Sequence, residues 1–157
     1  MNPDARKRYL QHMEEVIEKF GWMVQGVFPT REDPDHLSFQ YTIGLHDKGL
    51  PELLSFGLPM EAGTVLLNDV ANHLLECKKT GATHLGRVDH ERWPMPFYIL
   101  DADTDEATEF ATGAWFRSGE KATFVQVCWP DRQGRFPWEA GFEDEFVAVQ
   151  PLIGKPS

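Results

Sequence analysis

The sequence predicts an α+β fold, a single domain over residues 1–157 with a mainly antiparallel sheet and about three α-helices on one side of it. Strand-like segments outnumber helical ones, and most connections have hairpin length rather than the length of a crossover helix. The chain has 157 residues, 41% of them hydrophobic. A domain of that size buries roughly 70% of its unfolded surface, enough for one ordinary core. Repeats, low-complexity tracts and an interdomain linker are absent from the sequence.

Asn2-Pro3-Asp4 opens a helix, with Pro3 or Asp4 in its first turn. Tyr9, Met13, Val16, Ile17 and Phe20 then recur at helical spacing, and Gly21 supplies the stop. Residues 22–28 read as a strand, followed by a polar turn over 29–36. In residues 37–43, Leu37, Phe39, Tyr41 and Ile43 share one face while Ser38, Gln40 and Thr42 share the other. That alternation is the mark of a half-buried strand. Gly44 ends it, and a loop with His46, Asp47 and Gly49 follows.

Residues 53–57 form a short strand. Residues 60–79 carry the strongest helical signal, with Leu66, Leu67, Val70, Ala71, Leu74 and Leu75 as the buried stripe. Lys78 and Lys79 suit the negative end of the helix dipole, and Gly81 sits where a C-cap belongs. A fourth strand is expected over 83–91 and a fifth over 97–101, entered through Pro94 and Pro96. Asp103 caps a third helix over about 105–117, with Glu106 in the capping-box position. Strands over 123–129 and near 146–150 complete the chain.

Fifteen basic and 25 acidic residues give a net charge of -10. That balance opposes attraction to phosphate backbones, so nucleic acid is not an expected partner. Neither a signal-peptide core nor a membrane span is present, which predicts a cytoplasmic protein. Cys77 and Cys128 then read as reduced thiols inside the core rather than as a disulfide.

Four ordered blocks carry a family resemblance. They are Tyr41-Thr42-Ile43-Gly44-Leu45, Pro51-Glu52-Leu53 with Gly57-Leu58-Pro59, Trp129-Pro130-Asp131 with Phe136-Pro137-Trp138, and Gln150-Pro151-Leu152. The helix end Phe20-Gly21-Trp22 and the run Leu66-Leu67-Asn68 fit the same pattern. Over nearly its whole length the chain resembles the bacterial family known as domain of unknown function 4262. The resemblance implies a one-domain bacterial cytoplasmic protein. It brings no catalytic residue, cofactor or substrate with it.

Residues 125–139 hold the densest concentration of candidate functional side chains. An apolar strand stops at Pro130-Asp131, passes through Arg132-Gln133-Gly134-Arg135 and lands on Phe136-Pro137-Trp138. On a binding reading, Tyr41, Trp129, Phe136 and Trp138 wall a pocket for a small molecule or a protein partner. Arg132 and Arg135 then hold an anionic or planar group, and Pro130 and Pro137 stiffen the loop. The plainer alternative makes the aromatics a satellite core and pairs the arginines with the acidic excess.

A catalytic reading makes the protein a small hydrolase or transferase. His46 is its general base, Asp131 orients the imidazole, Glu52 stands nearby, and Arg132 or Arg135 stabilises an anion. Both functional readings need residues 41–46 to lie beside residues 129–138 at one rim of the sheet. Metal and cofactor sites are not expected. His84 and His90 flank Asp89, but residues six apart on one strand stand roughly 20 Å apart, and His73 lies on a helix. Cys128 inside an apolar strand should have a raised pKa and no nucleophilic role.

Overall fold

The N-terminal signals fold as read. In a computed structural model, which describes residues 2–89, 91 and 93–155, helix α1 runs Pro3–Phe20. The Asn2 side chain accepts the Ala5 N–H at 2.7 Å, and Gly21, at φ 98°, closes the last turn onto the Ile17 carbonyl. A left-handed C-cap of this kind costs glycine little and other residues more. Strands β1 (Met23–Val27), β2 (Phe39–Ile43) and β3 (Glu52–Phe56) follow. A single 3-10 turn, Leu45–Lys48, lies between β2 and β3. Helix α2 spans Met60–Thr80 and ends at Gly81.

The second half contains β4 (Gly86–Val88), β5 (Phe97–Asp101), α3 (Thr104–Phe110), α4 (Thr112–Arg117), β6 (Phe124–Cys128) and α5 (Asp144–Val147). These strands form one sheet in the order β1-β2-β3-β6-β5-β4. Every pairing is antiparallel except β3 with β6, where Glu52, Leu53 and Leu54 run parallel to Phe124, Val125 and Gln126. The mainly antiparallel α+β fold expected from the sequence is therefore what forms. Among the described residues, no helix is long and apolar enough to cross a membrane.

The helices do not stay on one side. On one face Met13 and Ile17 of α1, with Ala107, Ala111 and Ala114 around α3 and α4, pack onto Phe39, Tyr41, Ile43, Leu54, Phe56 and Phe124. On the other, Leu66, Leu67, Val70, Ala71 and Leu74 of α2 cover Leu53, Phe97, Ile99, Val125 and Val127. Each fully buried aliphatic or aromatic side chain contributes about 1.5–3 kcal/mol, so both layers matter. Strand β2 is consequently buried on both faces. Gln40 is 2% exposed and Thr42 0%. Their polar atoms are satisfied inside: the Gln40 amide donates to the Met60 carbonyl and to Thr64 Oγ1 of α2.

Two element assignments differ from expectation. The helix expected over 105–117 breaks at Ala111, whose ψ of 52° lies outside the helical range. Residues 146–150 do not form a strand. Glu143 starts the short α5 instead, and the Gln150 side chain bonds the backbone N–H and carbonyl of Trp129 at 2.9 Å each. Side-chain bonds, rather than a ladder, tie this segment to the end of β6.

Candidate functional site

The sheet delivers Trp129, Pro130 and the loop behind them at the carboxyl end of β6, next to the carboxyl end of β3. Trp129 is fixed there by its indole N–H, which donates to the Phe56 carbonyl at 2.7 Å. Its ring meets Phe146 edge-on at 5.3 Å. Asp131 then organises the loop. Its carboxylate accepts the backbone N–H groups of Gln133 and Arg135 at 2.9 Å and of Glu143 at 3.0 Å, and the Arg135 side chain at 3.1 Å. Burial alone would raise the Asp131 pKa. The N–H groups of Arg135, Glu143 and Gln133 and the Arg135 guanidinium outweigh it, and hold the group below the usual aspartate range.

Beyond Asp131 the loop turns inward. Phe136 is 1% exposed and stacks on Trp138 with ring centroids 5.2 Å apart. Tyr98 of β5 meets both rings edge-on, over Leu100 and Cys128. Burial pushes the Cys128 thiol up, as its position in the strand led one to expect. Both guanidinium groups are engaged with acids. Arg132 bonds Glu143 and Glu145 at 2.8 and 2.6 Å and lies over the Phe146 ring, while Arg135 is held on Asp131.

Trp129 and Pro130 face the opposite way, toward α2. With Leu58, Ala62, Leu66, Trp93, Met95 and Phe97 they wall a crevice of about 230 Å³, closed further by Pro94 and Pro96. Nearly every lining group is apolar. The Trp93 indole N–H is buried without an acceptor. From the sequence alone, residues 93–96 are only an approach to β5. Their signal was Trp93-Pro94-Met95-Pro96 itself, a stiff apolar run too rich for a plain connection.

The proposed catalytic set is not brought together. Because β2 runs antiparallel to β3 and β3 parallel to β6, His46 lies beyond the amino end of β3. Asp131 lies past the carboxyl end of β6, and the rise from Phe124 to Cys128 alone is about 13 Å. Asp131 has its acceptor capacity filled by its own loop, so it orients no histidine.

Glu52 is 1% exposed and serves the turn after β2. It accepts the Thr42 hydroxyl at 2.8 Å and the N–H groups of Gly44, Leu45 and His46 at 2.9, 3.1 and 3.4 Å. Burial pushes its carboxyl up, with those donors opposing. Tyr41 lies mid-sheet opposite Leu54, its hydroxyl accepting the Gly113 N–H at 3.3 Å. Burial raises its phenol. Neither Tyr41 nor His46 adjoins the aromatic loop.

Among the described residues, no three His, Cys, Asp or Glu side chains cluster as metal ligands. His90, weighed above with His84, lies outside the described residues. A pairing that the sequence reading passed over joins His73 and Cys77, one helical turn apart on α2, with Nε2 and Sγ at 3.5 Å. Their i, i+4 spacing was the available signal.

The family model described as domain of unknown function (DUF4262) matches residues 16–143, from the C-terminal part of α1 to Glu143 at the start of α5. No curated protein and no solved structure matches the chain.

Proposed function

The chain belongs to the DUF4262 family, and from that premise we propose that it is a one-domain, non-catalytic binding module of the bacterial cytoplasm. Its ligand is a small molecule with a compact apolar body, held between Trp129 and Trp93. The observation that carries this reading is the crevice itself. Two indoles, a methionine and three prolines converge on about 230 Å³ of space beside the carboxyl ends of β3 and β6. Ligand sites are commonly concave, mostly apolar and set at such strand ends. A cavity of about 150 Å³ holds a benzene ring, so this one suits a one- or two-ring group.

Trp93 adds chemistry to shape. A buried donor without an acceptor carries a cost of about 1–3 kcal/mol, which a carbonyl or hydroxyl on a ligand would relieve. Arg132 and Arg135 lie outside the lining and are committed to acids, so no anion need be part of the ligand. The free thiols Cys77 and Cys128 and the acidic surface accord with a cytoplasmic setting.

A thermal-shift and tryptophan-fluorescence screen with indole, naphthol and phenyl ketone fragments tests the proposal. A fragment at about 100 times its Kd adds roughly 2.7 kcal/mol of stability. The exposed Ala62→Trp change fills the crevice without touching the core, and should abolish that shift while leaving the fold intact. If no fragment stabilises the protein, or if Ala62→Trp binds as tightly as the wild type, the crevice is not a ligand site.

A further inference from the structure

A second surface has the features of a self-complementary interface. Along the flank of α1 that faces α4, Leu10 is 42% exposed and Phe116 of α4 is 70% exposed. They border a trough of about 550 Å³, shared with Arg6, Tyr9, Met13 and Gly113. Isolated exposed apolar side chains need no explanation, but an aromatic ring and a leucine edging one apolar trough mark a contact surface. Toward the C-terminal end of α1 the trough continues into a hollow lined by Glu14, Glu18, Asp47 and Lys48, with Arg117 between the two.

The charges along α1 are biased by half. Before Leu10, Asp4 stands against Arg6, Lys7 and Arg8; after it, Lys19 stands against Glu14, Glu15 and Glu18, so the first half is net basic and the second net acidic. Glu14 is bonded to Arg117 at 2.7 Å, and Arg117 also reaches Asp47 at 2.9 Å. Among the described residues, Arg6, Lys7, Glu15 and Glu18 make no ion pair. Glu14 and Glu18 are one turn apart, a like-charge spacing that destabilises a lone helix by a few tenths of a kcal/mol.

We infer that two copies of this chain pair across α1, antiparallel about a two-fold axis close to residues 11–12, one turn or less from Leu10. An antiparallel arrangement is the one that sets the basic half of each helix against the acidic half of the other. A two-fold interface uses the same patch on both partners, so one chain must carry both signs, as α1 does. Phe116 and Leu10 fill the apolar centre. Arg6 and Lys7 of each copy reach the hollow beside Glu18 of the other. The charges fix orientation and speed the encounter, and the aromatic centre provides most of the affinity.

Sedimentation velocity on the full chain tests this. The wild type should form a dimer that loosens as salt is raised. Phe116→Ser should weaken association by roughly thirtyfold or more with an unchanged circular dichroism spectrum. The variants R6E/K7E and E18K should each associate more weakly than the wild type alone and should form a mixed dimer when combined. A wild type that stays monomeric at every concentration overturns the inference. So do charge-reversed variants that self-associate like the wild type, or that fail to pair when mixed.

Discussion

Asp131 shows how one carboxylate can hold a loop that looks functional. Three backbone N–H groups and a guanidinium converge on it from residues 133, 135 and 143. Because its folded-state pKa lies below the unfolded value, its contribution is fully present above the ordinary aspartate pKa of about 3.9. It is lost as pH falls through the lower, folded value. Acid titration followed by near-UV circular dichroism should therefore show the Trp138–Phe136–Tyr98 signal collapsing below about pH 4, before helix content is lost. Asp131→Asn should show a weakened aromatic signal already at neutral pH and no acid step. An unaltered titration in that variant would mean that other groups hold the loop. The density of polar and aromatic residues at 129–138 was legible in the sequence. Their inward turn was not, because the ring that receives them, Tyr98, lies on a strand that the sequence marks only by the prolines entering it.

At the scale of elements, α2 sits on the sheet through a glycine. A Cβ at Gly63 would come within 1.6 Å of Gln40 Oε1, and Gln40 is buried and bonded to α2 at two points. Gly63→Ala should gain about 1 kcal/mol of helix propensity and lose about 1–3 kcal/mol from displaced amide bonds, so the net change is destabilising or near zero. Paired with Gln40→Ala it should cost less than the sum of the two changes, which denaturant melts of the four proteins would show. Additive costs would mean that the amide is not what seats the helix.

The same contact explains why β2 reads as half-buried from its sequence and is buried on both faces. Ser38, Gln40 and Thr42 look like a solvent face, yet Gln40 and Thr42 find their partners in Met60, Thr64 and Glu52. Sequence periodicity reports polarity, not where a polar group is satisfied. Caps were read more securely, since Asn2, Gly21, Gly81 and Asp103 act through their own neighbours. Residues 146–150 failed for the opposite reason, because their bonds run to Trp129 from a distant part of the chain.

In the whole molecule the sheet is two antiparallel trios, β1-β2-β3 and β6-β5-β4, joined along β3 and β6. The first trio is complete by Phe56 and α2 by Thr80, before the second begins at Gly86. The connection between them, residues 82–85, is largely exposed and flanked by Gly81 and Gly86 at φ 76° and 109°. Joining β3 to β6 closes the longest loop in the sheet, and so it should come late in folding. A chain cleaved at an engineered protease site in 82–85 should therefore survive as a nicked complex, held by the seam and by α1 against α4. Its two fragments should separate in urea and reassemble when the urea is removed. Fragments that drift apart in plain buffer would show that covalent continuity, rather than the seam, keeps the two trios in register.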